Sequence, residues 1–474
     1  MLFPTIEFAV FFSLVFPITW ALNRQNTLKK IFLVLASYVF YGFWSTDYLL
    51  LLFLSSTGNF IWAWTFGPLK DGILRKFLLW IGILANLSVL AYFKYYNFFV
   101  ASVMDATSSL GFHLNIGFIE VALPIAVSFL TFHALSYLID VYNRKLPPSR
   151  SFVDILLYIS FFPHLIAGPI VRAKAFLEQT AHISDPRTIK LGYAVALIIG
   201  GLFKKMIIAN YISTDFVDNV FRSPGDYSSL DLLLGMYAYA LQIYCDFSAY
   251  TDIAIGVANL LGYEFPQNFN QPYRAITVQD FWRRWHITLL SWLRDYLYIP
   301  LGGSRHGELH TLRNIIITMG LGGLWHGASF NFVIWGLLHG LWLSGERLLG
   351  VTGDKTRAPS KWPEISKIAG WFITFHFVCV TWVFFRSPSL EQSIDYLGGL
   401  ISLNGWTTTM SPFVMLVMCC GALTQIVPSN IFAYLETYYD RAPIFAKVAI
   451  PAAAIFLFSA WSPNGMPPFI YFQF

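Results

Sequence analysis

Stretches of roughly 18 or more apolar residues recur from one end of this 474-residue chain to the other. That recurrence constrains the fold most, because about 20 apolar residues in a helix span the hydrocarbon core of a bilayer. Charge agrees. Only 12% of residues are charged and mean hydropathy is +0.57, where a soluble globular protein carries about 25% charge. Helices are the spanning element expected, since lipid cannot satisfy open backbone groups and the short alternating segments of a barrel are missing. The expectation is an all-α polytopic membrane protein. The net charge of +5 sits in loops, as positive-inside topology requires, and does not form a nucleic-acid patch. Membrane lipids are expected partners and nucleic acid is not. Cys245, Cys379, Cys419 and Cys420 lie in apolar segments without metal spacing and read as buried thiols. Residues 2–22 are too long for a signal peptide and lack its basic start and cleavage site, so they stand as a first span.

Cations then order the chain. Arg24, Lys29 and Lys30 follow the first span and place that loop in the cytoplasm, with the N-terminus outside. Ile31–Trp44 and Tyr48–Phe66 form a pair broken at Ser45-Thr46-Asp47, and Lys70, Arg75 and Lys76 mark the cytoplasmic side again. Phe77 to about Met104 runs outward, with Lys94 near an interface, and 105–118 is an external loop. Glu120–Tyr142 returns. Residues 151–171 have cations on both flanks and read as a re-entrant hairpin broken at Pro163 and Gly168-Pro169. Leu191–Ile212 crosses outward, with Lys204-Lys205 facing a polar cavity or marking a bend. Leu230–Tyr263 is too long for one straight span and carries Asp246, Ser248, Thr251 and Asp252 in its middle. The two aspartates read as acceptors for helix-to-helix hydrogen bonds.

The segment Gln279–Ser329 organises the rest. It opens basic and Trp-rich around His286 and ends in an apolar run expected to break at Gly322-Gly323 and present His326. A histidine deep in a membrane segment is costly to place and is a functional candidate by default. Residues 264–310 should be cytoplasmic, Thr311–Gly322 dips into the membrane, and Phe330–Leu349 comes back. The loop 350–368, with Lys355, Arg357, Lys361 and Lys367, is cytoplasmic; spans at about 369–385, 410–427 and 444–461 leave the C-terminus outside. The chain ends PPFIYFQF. One reading is an interfacial aromatic anchor; the other is a tail inserted into an external cavity, with Tyr471 its only reactive group.

Six phrases carry a family resemblance: LPIAVSFLTFHALSYLIDVY (123–142), FFPHLIAGPIVR (161–172), YCDFSAYTDIAIG (244–256), PQNFNQPY (266–273), FWRRWHITLLSWLRDYLYIPLGG (281–303) and GGLWHGASFNFVIWGLLHG (322–340). Together, in this order, they resemble the membrane-bound O-acyltransferase family (MBOAT), in its bacterial alginate O-acetylation (AlgI-like) branch. The resemblance implies a single integral-membrane domain over 1–474, with N-terminal helices in 1–142, a catalytic core in 143–349 and C-terminal helices and tail in 350–474. It implies a ring of about 11–13 tilted helices with re-entrant segments around a central tunnel. It also implies acetyl transfer from cytoplasmic acetyl-CoA, the donor substrate, across a bacterial inner membrane. The acetyl group would pass to an extracytoplasmic SGNH-type O-acetyltransferase that modifies peptidoglycan or an alginate-like polysaccharide. No cofactor is bound permanently.

The family's invariant histidine falls on His326 and its more variable one on His286. The tail FIYFQF is similar to a motif whose tyrosine carries the acyl group in the related D-alanylation machinery, which makes Tyr471 an acyl relay. Neutral imidazole can act as base near working pH, and a tyrosine hydroxyl, with an unperturbed pKa of about 10, needs such a base to attack a thioester. The glycines beside His326 permit a helix break and close approach to a ligand. His286 follows Arg283 and Arg284 and should lie near the cytoplasmic mouth, either orienting the thioester or hydrogen-bonding within the bundle. Arg283, Arg284 and Arg294 suit CoA phosphates as bidentate donors, or are topology charges. Trp325 and Asn331, flanking His326, complete the donor-binding set. Trp282, Trp285 and Trp292 read as packing. His133, His164, His339 and His376 show no ligand spacing, so no metal is assigned. His133 stands where relatives often have Gln or Glu, and Ala249-Tyr250-Thr251 replaces a more usual Gly-Tyr-Ser. A transporter or a docking subunit without chemistry of its own is the rival reading. Broken helices suit a transporter, but the paired repeats of such folds are missing from this sequence.

Overall fold

A computed structural model describes residues 1–120, 122–351, 363–428, 430–463 and 469–470. Among these residues every regular element is a helix. Five helices are long and apolar enough to cross a membrane: Leu49–Phe66, Ile73–Ser109, Leu191–Arg222, Glu364–Arg386 and Ile444–Trp461. Three shorter apolar helices join them. This is an all-α polytopic membrane protein. Of the expected cytoplasmic cations, Lys355, Arg357 and Lys361 lie outside the described residues, as does Tyr471. The chain divides into two compact units, Met1–Lys190 with Val257–Pro266, and Leu191–Gly256 with Gln267–Phe474.

The first unit begins with α1 (Ile6–Ala21), capped by the Thr5 hydroxyl, which accepts from the Phe8 N–H. Then come α2 (Asn26–Gly42), α3 (Leu49–Phe66) and α4 (Ile73–Ser109), the last with a π-helical stretch at Ala91–Tyr95 that contains Lys94. The following helix, α5 (Val127–Tyr142), starts later than the expected Glu120. Pro124 and the left-handed Ala126 (φ 68°) hold the chain out of a helix until Val127. The segment from 151 on breaks as expected: α6 (Phe152–Ser160) ends at Phe161, α7 (Phe162–Leu165) is one turn, and α8 (Ala173–Thr180) follows. The break is buried, and its freed Phe162 N–H donates to Ser37 Oγ at 3.1 Å. Cations that mark topology in the sequence tie this unit together. Lys29, 1% exposed, donates to Asn23 Oδ1 and Ser184 Oγ. Lys30 pairs with Asp154 at 2.6 Å, and Arg75 donates to the Val141 and Tyr142 carbonyls at the end of α5. In the loop after α3, the Arg144 guanidinium, 3.1 Å from Asp71, holds that carboxyl below its usual range.

The second unit opens with α9 (Leu191–Arg222), which runs ten residues past the expected Ile212 and contains π-helical stretches at Lys204–Ala209 and Ser213–Val217. It packs on α10 (Ser229–Leu260), one continuous helix of 32 residues. At 1.5 Å per residue α10 is about 48 Å long, well beyond a bilayer core of about 30 Å. Lys204 pairs with Asp252 at 2.6 Å and donates to Ser248 Oγ at 2.8 Å, and Lys205 pairs with Asp246 at 2.8 Å. The two lysines thus both find carboxylates on α10, as buried charges must.

Short helices α11 (Val278–Arg284) and α12 (Ile287–Leu293) lead to a hairpin of α13 (Glu308–His326) and α14 (Phe330–Leu348). The expected break at Gly322-Gly323 does not occur. Helix α13 runs through both glycines and ends at His326; the chain becomes extended only at Gly327 (φ −160°, ψ 152°). The glycines serve helix packing. A Cβ on Gly323 would lie 2.1 Å from the Phe332 carbonyl oxygen, and one on Gly336 2.3 Å from that of Met319. Small residues facing each other let two membrane helices approach this closely. Then follow α15 (Glu364–Arg386), α16 (Leu390–Ile401), α17 (Pro412–Leu423), α18 (Asn430–Arg441) and α19 (Ile444–Trp461). α16 and α18 were not expected from hydropathy, being short and amphipathic. Cys245 and Cys379 are buried as expected, but Cys419 is exposed, on an apolar helix surface where a thiol behaves as a small hydrophobe.

Candidate active site

His326 is the last residue of α13 and is 3% exposed. Trp325, Trp335 and Phe385 surround its ring edge-on, with centroids 5.0, 5.1 and 5.2 Å away. The wall therefore comes from α13, α14 and α15. Trp325 also touches His286, at 6.2 Å, so one indole is in ring contact with both candidate histidines.

His286 does not sit at a mouth. It is fully buried, in a left-handed conformation (φ 43°) between α11 and α12. The kink turns its ring inward while Arg283 stays at the surface. Asn268 fixes its state. The Asn268 side-chain oxygen accepts from the Thr288 N–H at 3.1 Å and the Thr288 hydroxyl at 2.9 Å, so it can only accept from His286 Nδ1, at 3.2 Å. Nδ1 carries the proton and Nε2 keeps its lone pair. Nε2 has no protein hydrogen-bond partner among the described residues. By contrast His339 is saturated: Nδ1 accepts from Trp282 Nε1 at 3.2 Å, and Nε2 donates to Thr381 Oγ1 at 3.0 Å, whose own proton goes to Val378. It is a buried peg; the half-buried His376 is likewise spent, between Tyr237 and the Phe372 carbonyl.

A cleft of about 450 Å³ opens beside α11–α14. Its rim carries Arg283, Arg294 and Arg347 with Gln279 and Tyr298; its inner wall has Trp282, Ile315, Thr318 and Met319. Ile315, Met319, Gly322 and His326 recur at helical spacing on one face of α13. Seven residues, about 10 Å of helix, separate Met319 from His326. Arg347, absent from the sequence expectations, pairs with Glu308 at 2.6 Å across the hairpin. Its signal was a lone basic residue at the end of an apolar helix.

Three expected donor-binding residues lie outside the cleft lining: Trp325, between His286 and His326, with Arg284 and Asn331. Arg284 does not line the cleft; its Nε bonds Asp280 at 2.9 Å and it reaches back to the Asn270 carbonyl. Asn331 uses its side-chain NH2 on the Ser387 carbonyl, 2.9 Å, and Ser393 Oγ, 3.4 Å, anchoring the start of α14. Trp282 and Trp285 pack as expected, Trp285 beside Phe281 and Trp382.

The tail is represented by Phe469 and Ile470, 0% and 2% exposed. The anchor reading fails for these two: the Ile470 N–H donates to Asp246 Oδ2 at 2.9 Å, and the Phe469 ring lies 4.3 Å from Tyr250 and 5.7 Å from Phe247. Phe247 in turn stands edge-on to His286 at 4.7 Å. Among the described residues no group of three or more His, Cys, Asp or Glu could hold a metal ion.

Comparison with known proteins adds a family match. The model for "MBOAT, membrane-bound O-acyltransferase family" matches residues 72–386. The chain is 38% identical over 408 residues to the probable alginate O-acetylase AlgI of Pseudomonas aeruginosa, covering 86% of this chain and 76% of that protein. Its Pseudomonas putida counterpart is 35% identical over 507 residues, covering all of both. A peptidoglycan O-acetyltransferase of Helicobacter pylori is 38% identical over 413 residues, covering 81% of this chain and 76% of that protein.

Proposed function

The chain belongs to the membrane-bound O-acyltransferase family and is an acyltransferase, and from that premise we propose that it takes acetyl groups from acetyl-CoA for O-acetylation of a cell-envelope polysaccharide. Acetyl-CoA enters from the cytoplasm of a bacterium, and the acetyl group leaves on the other side of the inner membrane to a separate SGNH-type transferase. Peptidoglycan and an alginate-like polymer are the two acceptor classes, by likeness to the relatives' named activities.

The observation that carries this reading is the cleft whose wall is α13. Its cationic rim suits the phosphates of CoA, and the helix behind it ends at His326. Arg283, Arg294 and Arg347 bind phosphate, and Thr318 and Met319 line the path of the acyl arm. His326 takes the proton of the Tyr471 hydroxyl. The tyrosine oxygen bonds the acetyl carbon, the carbon–sulfur bond of the thioester breaks, and the sulfur leaves as CoA thiol with that proton. A hydroxyl on the partner transferase then exchanges with the tyrosyl ester and returns Tyr471 to its free form. His286 Nε2 accepts a hydrogen bond from the reacting groups and orients them.

The test incubates purified protein with radiolabelled acetyl-CoA and maps label by mass spectrometry in wild type, His326→Ala and Tyr471→Phe. Label on Tyr471 that needs His326 supports the relay. Release of CoA without label, still dependent on His326, keeps the enzyme and removes the relay. No label and no CoA release with the partner transferase present overturns the proposal.

A further inference from the structure

Lys205 and Asp246 have no part in the chemistry described so far, yet they are among the most deeply buried charges of the second unit, with side chains 3% and 4% exposed. A buried ion pair is weak evidence for stability, because desolvation cancels much of the attraction. Here the pair has a third member. Lys205 takes one oxygen of Asp246 at 2.8 Å, and the Ile470 N–H takes the other at 2.9 Å. One turn along α10, Tyr250 receives the Phe469 ring. The tail is thus held by a charge-assisted bond to its backbone and by an aromatic socket.

We propose that Lys205 and Asp246 form a latch that seats residues 469–470 against α10, making Asp246 a positioning residue for the group carried on residue 471. The proposal rests on the reading of Tyr471 as acetyl carrier. Consecutive Cα atoms are about 3.8 Å apart, so seating Ile470 limits where a group on the next residue can act. The seat adjoins His286 through Phe247, whose ring contacts both Phe469 and the histidine. Recognition through a backbone N–H does not depend on the side chain at 470. The π-helical stretch that begins at Lys204 presents both lysines to α10: Lys205 serves the latch, while Lys204 pairs with Asp252 and Ser248 on the wall of a separate cleft of about 340 Å³. Asp252 is therefore the internal control, the same kind of ion pair between the same two helices with, among the described residues, no bond to 469–470.

The experiment uses full-length protein carrying Ile470→Cys, which keeps the backbone N–H, and follows alkylation of that thiol by a membrane-permeant maleimide. Peptide mapping separates it from the four native cysteines. Adding Asp246→Ala should raise the alkylation rate about tenfold or more, the size of one charge-assisted hydrogen bond. Asp252→Ala should leave it within about twofold. Should Asp246→Ala fail to fold, the isosteric Asp246→Asn should move the rate in the same direction by a smaller factor. On the tail side, Ile470→Pro removes the donor without touching a bundle helix. It should cut label on Tyr471 about tenfold, and combining it with Asp246→Ala should add little. An unmasked thiol with label on Tyr471 unchanged keeps the latch and overturns Asp246 as a positioning residue, whereas an unmasked thiol with no label on Tyr471 even in the protein with Asp246 intact keeps the latch and overturns the acetyl-tyrosine reading. A thiol equally protected in Asp246→Ala, or in Asp246→Asn where the alanine variant does not fold, overturns the latch whatever the acetyl assay shows.

Discussion

Each unit holds a pair of buried histidines in an aromatic cluster, and the two pairs are built differently. In the first unit His133 and His164 stack face to face at 4.3 Å, with Phe265 stacked on His164 at 5.4 Å and His164 Nε2 bonded to the Tyr158 carbonyl at 2.8 Å. Both ring nitrogens of His133 and Nδ1 of His164 lack hydrogen-bond partners among the described residues. In the second unit His286 and His326 meet the same indole, and His286 is locked by Asn268 with a lone pair left over. The helix that ends at His326 also lines a cleft rimmed by arginines. Burial of a histidine in a membrane bundle is therefore not what marks a site. Ring nitrogens without a hydrogen bond occur in both pairs among the described residues; what marks the second is the arginine-rimmed cleft lined by the helix that ends at His326.

The comparison breaks most readily at the histidines themselves. His326→Ala should lower acetyl-CoA turnover by about a thousandfold, the scale of a lost general base, with the melting transition kept. His133→Ala should keep turnover within a few-fold and cost about 2 kcal/mol or more of stability through the cavity it leaves. Turnover and thermal melting of the two variants, measured in one detergent, decide between these. His286→Gln should lower turnover about 10- to 100-fold with the apparent KM little changed, since it orients rather than removes the proton; initial rates over a range of acetyl-CoA concentrations read both constants. Arg294→Ala and Arg347→Ala should each raise the KM for acetyl-CoA about three- to tenfold and leave kcat nearly intact. Arg284→Ala, outside the cleft, should do neither. The smallest effect belongs to the hairpin: Gly336→Ala should cost about 1–3 kcal/mol by overpacking and lower the melting temperature by several degrees, read by a dye-based thermal scan.

The hairpin and its histidine were legible because the phrase ending at Gly327-Ala328-Ser329 interrupts an apolar run just past His326. Why the glycines are there was not. Gly323 looks like a hinge in one dimension, and only Gly336 on the facing helix shows that it is a contact point. The same limit hid the ion pairs. Lys204 and Asp252 lie 48 positions apart in sequence and Lys205 and Asp246 lie 41 apart, and no periodicity links them. Cations were counted as topology markers, yet Lys29, Lys30 and Arg75 are spent inside the first unit. The π-helical stretches in α9 leave no signature in hydropathy. His286 was misplaced toward a surface because two arginines precede it; a single left-handed residue reverses that direction.

The central claim is that a donor held at the arginine rim reaches along α13 to His326. A structure with a non-hydrolysable acetyl-CoA thioether tests it most directly. The account predicts phosphate density at Arg283, Arg294 and Arg347, and the acetyl carbon within about 4 Å of the His326 ring, near-attack distance for a positioned base and nucleophile. Phosphates bound away from those arginines, or an acetyl group that ends far from His326, would contradict it.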